Sequence, residues 1–154
     1  MSDILLNSLK EFYMRGDNKK KLLEIINNTN ISLRIIDWFV TNYSKKYNTS
    51  YFIKSNVLLD DDEILENAKQ FNVYYSYKTQ LKSYSKKKFD PFCRRDRIEF
   101  TLGEEKVIST LGQLNFFKWA INNLILDYIK INYKCIENDM NICYNSIHKK
   151  KETN

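Results

Sequence analysis

Between Lys78 and Arg97 the chain reads KTQLKSYSKKKFDPFCRRDR. Eight of these residues are basic: Lys78, Lys82, Lys86, Lys87, Lys88, Arg94, Arg95 and Arg97. Only Asp90 and Asp96 oppose them. The stretch therefore carries a charge equal to the whole chain's formal net charge of +6, and acids and bases balance everywhere else. The chemistry open to such a segment is anion recognition. Lys and Arg neutralise phosphates, and flat aromatic side chains take unpaired bases. Lys82, Lys86, Lys87, Lys88, Arg94, Arg95 and Arg97 are thus candidate phosphate contacts. Tyr84 and Phe92 are candidate stacking partners, and the arginines can fork onto phosphates in pairs of hydrogen bonds. The same charges also suit an acidic protein surface. A charge run of this kind is, equally, the plain solvated face of a domain whose aromatics belong to its core. No consensus of a known DNA or RNA module is present.

The segment divides in two. Residues 82–88 are lysine-rich and read as mobile or helical. Residues 89–97, FDPFCRRDR, hold the only proline and read as an ordered loop that presents arginines. Asp90 is placed to accept backbone N–H bonds in the Pro91 turn or to pair with an arginine, with Phe89 and Phe92 as anchors. Cys93 beside two arginines suits a lowered thiol pKa if exposed. Nucleophilic catalysis also needs a base, and the single histidine is His148, near the end of the chain. Cys135, Cys143 and His148 lack the paired spacing of structural zinc modules. The run Asp60–Glu63 fits a helix start better than a cation site. Joined with Lys78 it would make a magnesium-dependent nuclease, a reading that nothing in the spacing selects. Three isolated glycines form no phosphate loop. No catalytic residue, metal ligand or cofactor is therefore expected.

The elements that position this segment follow from periodicity. Helical spacing appears over 3–14, 18–28 and 33–46, with Gly16, Asp17 and Ser32 as punctuation. Tyr51–Ile53 reads as a strand continuing toward Leu58. A helix is expected over about 62–70. FNVYYSY, 71–77, alternates and predicts the best strand, with Phe71, Val73, Tyr75 and Tyr77 on one face. RIEFTL and Lys106–Ile108, around Gly103, predict a hairpin. The basic segment would then be held at both ends by one sheet. Thr110 with Gln113 fits a capping box. It opens a helix whose stripe Leu114, Phe117, Ile121, Leu124, Ile125 and Tyr128 is widened by Phe116, Trp119 and Ala120, marking the central core helix. A weaker last helix runs to about Tyr144. The fold expected is α+β: N-terminal helices, a small antiparallel sheet in the middle and a buried C-terminal helix.

The length of 154 residues sets one domain, 1–147, as the expectation, followed by a disordered basic tail, 148–154. An odd cysteine count, with no signal peptide at the start, reads as reduced intracellular thiols. No apolar run approaches the ~18 residues of a membrane span.

The segments SLRIIDWFVTNYSKKYN (32–48), FNVYYSYKTQLKSYSKKKFDPFCRRDRIEF (71–100) and TLGQLNFFKWAINNLILDYI (110–129) resemble conserved proteins of unassigned function in giant nucleocytoplasmic DNA viruses. The resemblance covers most of 32–129, in the same order. It brings no active-site residue with it. It implies a protein made in infected-cell cytoplasm, at the viral factory, with packaging in the virion as a further option. The leading expectation is a non-enzymatic nucleic-acid-binding protein acting in genome handling or gene expression. The alternative is a structural or adaptor protein of the virion or its assembly that docks an acidic partner.

Overall fold

The structure, a computed structural model, describes residues 3–28, 31–60 and 66–152. Helices α1 (Asp3–Tyr13) and α2 (Asn18–Ile26) are joined by a turn in which Gly16 takes φ +52°, where a glycine is free of strain. Asp17 does not cap α2 with its side chain; its carboxylate meets the Lys21 ammonium at 3.6 Å. Ser32 does cap α3 (Leu33–Trp38), accepting from the Ile35 N–H at 3.2 Å. The helix then widens into a π turn (Phe39–Tyr43) before α4 (Ser44–Lys46). Side-chain hydroxyls bond back to the backbone there, Thr41 to the Asp37 carbonyl and Ser44 to that of Val40.

Strands β1 (Ser50–Lys54), β2 (Val57–Leu58) and β3 (Lys69–Asn72) form an antiparallel sheet in the order β2-β1-β3. Tyr51 pairs with Phe71 across it. The helix expected over 62–70 falls partly on 61–65, outside the described residues, and Lys69 and Gln70 are strand. The strand expected over 71–77 is corrected. Pairing stops at Asn72, and α5 (Val73–Ser83) begins. The Asn72 side chain accepts the Tyr75 N–H at 2.9 Å, an N-cap. Burial decides between the two periods: Val73 and Tyr77 go inward while Tyr75 is 75% exposed. The alternation of Val73, Tyr75 and Tyr77 on one face does not exist. The basic segment is consequently held by a helix at one end and a hairpin at the other.

That hairpin pairs β4 (Ile98–Leu102) with β5 (Glu105–Ser109), Phe100 opposite Val107. Gly103 turns it at φ +64°. Helix α6 (Leu111–Asn122) comes next. It buries Leu114, Phe116, Phe117, Trp119, Ala120 and Ile121, and is the core helix the sequence predicts. The apolar stripe beyond it does not continue straight. Leu124 adopts φ +58°, breaking the rod into α6 and α7 (Ile125–Ile131). The last helix, α8 (Tyr133–Glu152), runs past His148, where the sequence reading began a tail. It is locked to the π-turn helix by Asp139, which accepts from the Trp38 indole at 3.0 Å, the Lys46 ammonium at 2.7 Å and the Tyr47 hydroxyl at 3.2 Å. The fold is mixed α+β.

Candidate nucleic-acid interface

Residues 89–97 form an ordered turn seated on the first turns of α6. Phe89 is buried and anchors it among Tyr77, Tyr84, Phe116 and Trp119. Asp90 organises the turn itself. Its backbone N–H donates to the Gly112 carbonyl at 3.1 Å, and its side chain accepts the Phe92 N–H at 2.9 Å. The expectation that Asp90 serves the Pro91 turn is met in this bond. Two residues of the capping box hold the other side. Thr110 accepts the Gln113 N–H at 3.2 Å, as a cap must, and its hydroxyl donates to the Cys93 carbonyl at 3.1 Å. The Gln113 amide does not return to the N-cap. It donates to the Pro91 carbonyl at 2.8 Å and accepts from Ser109 at 2.9 Å. Half of the capping box is thereby given over to the loop. Asn115 adds a bond to the Lys88 carbonyl at 3.0 Å.

This seat requires Gly112. A Cβ there would lie 2.8 Å from the Cys93 Cβ and 2.9 Å from the Lys87 carbonyl oxygen. Cys93 is thus a packing residue: its thiol lies 3.5 Å from the Lys87 carbonyl oxygen, and it is half-buried.

Arg94, Arg95 and Arg97 are exposed. Arg94 and Arg97 line one cleft of about 460 Å³ together with Phe92, itself 44% exposed. The cleft walls include Ile26, Leu33, Ile108, Gln113 and Phe117. Arg95 does not line it. None of the segment's lysines lines it either. Gly112, Asn115, Phe116 and Trp119 recur every three or four residues and so share one face of α6. That face meets the backbone of Lys87 and Lys88, the Phe89 ring and, through the 2.9 Å bond of the Trp119 indole to Ser76, helix α5. The arginine cleft is on the neighbouring face, that of Gln113 and Phe117. Arg94 and Arg97 thus share a cleft that the lysines do not line, although the Lys87 carbonyl lies 3.5 Å from the Cys93 thiol of the same turn.

Individual residues sort accordingly. Tyr84 stacks on Phe89 at 5.9 Å and 11°, so one of its ring faces is taken by the core. Lys86, Lys87 and Lys88 are exposed on a short 3₁₀ turn. Lys86 interacts with Asp37, whose carboxyl burial pushes up, with Lys86 opposing the shift and Asp90 adding to it. Lys82 is exposed in the last turn of α5.

The helical state of 73–83 adds Tyr75 and Lys78 to the candidate Lys82. Tyr75, Lys78 and Lys82 now share an exposed face, spaced three and four apart. A second cleft, of about 430 Å³, is lined by Ser44, Lys45, Asn48, Asn72, Tyr74, Tyr75 and Lys78. The signal for this was Asn72 ahead of Val73, Tyr77 and Leu81, a cap before a four-residue spacing.

Of the acidic run, Asp60 is exposed and 61–65 lie outside the described residues. Cys135 and Cys143 are on α8. Among the described residues no group of three or more His, Cys, Asp or Glu side chains is placed to hold a metal ion. No helix among them is long and apolar enough to cross a membrane.

Comparison with known proteins agrees with the viral resemblance. "Uncharacterized protein L507" of Acanthamoeba polyphaga mimivirus is 43% identical over 148 residues, an alignment covering 85% of this chain and 54% of that protein. The chain thus spans about half the length of the curated relative it matches. No solved structure matches. The model of a family of unknown function, DUF7197, matches residues 1–154, and the chain belongs to that family.

Proposed function

We propose that this protein binds nucleic acid through its arginine turn, acting on the genome or transcripts of a large DNA virus. The observation that carries the reading is that Arg94, Arg97 and the half-exposed Phe92 line a single cleft on a loop fixed by backbone and side-chain bonds. A fixed backbone brings the two arginines to one cleft with less ordering left for binding than a mobile loop would need, and an exposed ring beside them offers a base a stacking face. The giant-virus relative supports the setting.

Binding of a fluorescein-labelled oligonucleotide, followed by anisotropy, tests it. The wild-type protein binds, and Arg94→Ala/Arg97→Ala weakens binding by about tenfold or more, the loss expected when two charged contacts go. Unchanged affinity in the double variant contradicts the reading. The apolar walls Ile26, Leu33, Ile108 and Phe117 favour a second reading, an acidic peptide with an apolar anchor. A stoichiometric protein partner that co-purifies without nucleic acid, and is lost in the same double variant, would favour it.

A further inference from the structure

Helix α5 carries a second surface with the chemistry of a single-strand contact. Tyr75 is 75% exposed, in the first turn of the helix. Isolated exposed aromatics are ordinary and need no explanation. Tyr75 is not isolated. Beside it the half-buried Tyr74 ring has the Lys45 ammonium 5.6 Å and the Lys78 ammonium 6.0 Å from its centroid. These four residues line the 430 Å³ cleft with Ser44, Asn48 and Asn72, and no carboxylate is among them.

The parts are held from two directions. The π turn Phe39–Tyr43 precedes Ser44 and Lys45, and the Ser44 hydroxyl is tied to the Val40 carbonyl. Asn72 caps α5 and donates to the Asn48 side chain at 2.9 Å, joining the two walls. Tyr75 is thereby fixed at its backbone while its ring stays in solvent. A cleft with two ammonium groups, two phenol rings and no competing anion is complementary to phosphate flanked by an unpaired base. A duplex offers no free base face to such a ring, since its bases are stacked inside.

We infer that Tyr75, with Lys45 and Lys78, forms a base-stacking platform for single-stranded nucleic acid. This rests on the nucleic-acid reading above and names the form of the ligand.

The probe is fluorescein-labelled oligothymidylate of about 15 nucleotides, a length spanning one single-strand site, beside a duplex of equal length. Tyr75→Ala is expected to weaken oligothymidylate binding about 5- to 100-fold, the loss seen for one base–aromatic stack, with Tyr75→Phe close to wild type. Duplex affinity is expected to be weaker at the start and unchanged by Tyr75→Ala. Lys45→Ala/Lys78→Ala should lower the salt slope by about 1.4, at about 0.7 per phosphate contact on single strands. Tyr75 lies outside the core, so circular dichroism should show each variant folded. If Tyr75→Ala leaves oligothymidylate binding intact while Arg94→Ala/Arg97→Ala abolishes it, the platform is overturned and the arginine reading stands. Equal loss on single strand and duplex also overturns it. If the wild-type protein binds neither probe, both readings fall together.

Discussion

Gly112→Ala separates the helix from the loop it carries. Helix propensity alone favours the change, since Ala over Gly contributes up to about 1 kcal/mol in a helix interior. The seat of the arginine turn opposes it. The new methyl carbon would lie 2.8 Å from the Cys93 Cβ and 2.9 Å from the Lys87 carbonyl oxygen. Restoring ordinary contact, which begins at 3.4 Å, moves these neighbours back by about 0.5–0.6 Å. Neither is the free end of a long side chain. The Cys93 carbonyl accepts from Thr110, its N–H donates to the Asp90 carbonyl, and Lys88 is tied to Asn115. Overpacking of this kind costs about 1–3 kcal/mol and the helix gain offsets up to about 1 kcal/mol, so the net expectation is destabilisation by about 0–2 kcal/mol. For a chain of this size that lowers Tm by up to about 8 °C. The larger effect falls on function, because the displaced turn carries Arg94 and Arg97. Thermal unfolding by circular dichroism and oligonucleotide anisotropy on the same preparation measure both. A Gly112→Ala protein as stable as wild type, with undiminished binding, would show that the turn is not seated as described.

Further expectations come from the core and from two carboxylates, the buried Asp139 and the half-buried Asp37. Phe89→Ala removes a ring packed against Tyr77, Tyr84, Phe116 and Trp119, and should destabilise by about 3–5 kcal/mol in urea unfolding. Asp139 and Asp37 should respond to pH in opposite senses. At Asp139, burial alone would raise the carboxyl, but Lys46, Trp38 and Tyr47 together hold it below the ordinary value of 3.8. Its stabilising contribution is present above that value and lost as pH falls through the lower folded one. Asp139→Asn should therefore destabilise at pH 7, with the gap to wild type closing in acid. Asp37 is raised, chiefly by burial, so its ionisation at neutral pH opposes folding. Asp37→Asn should stabilise at pH 7, and its advantage should vanish below the ordinary carboxylate range. Parallel urea curves at pH 7 and about pH 3, below the free Asp value, compare the two.

The architecture was legible wherever one period dominated. Leu33, Ile36, Phe39 and Val40 mark a helix face, and RIEFTL with its glycine turn marks a hairpin. The 71–77 segment failed because two periods coexist in it. Val73, Tyr75 and Tyr77 satisfy alternation, while Val73, Tyr77 and Leu81 satisfy a helix. The deciding residue is Asn72, whose side-chain oxygen satisfies a backbone N–H that a strand would direct to its neighbour. The break at Leu124 was hidden by an apolar stripe that continues across it, although Asn122-Asn123 stands just before. The arginine turn was readable from Phe89, Asp90 and Pro91. Its seat was not, because the contact of Gly112 with Cys93 is tertiary and leaves no mark on either neighbourhood. Which of the basic residues line the cleft likewise depends on tertiary packing against α6.

The nucleic-acid reading is tested most directly by the salt dependence of oligothymidylate binding to the wild-type protein and to Arg94→Ala/Arg97→Ala. Counterion release predicts a straight line of log affinity against log salt, with a slope of about −0.7 per phosphate engaged. The double variant should bind more weakly with a slope shallower by about 1.4, two contacts' worth. A wild-type slope near zero, or the same slope in both proteins, would contradict the assignment of the arginine turn to phosphate.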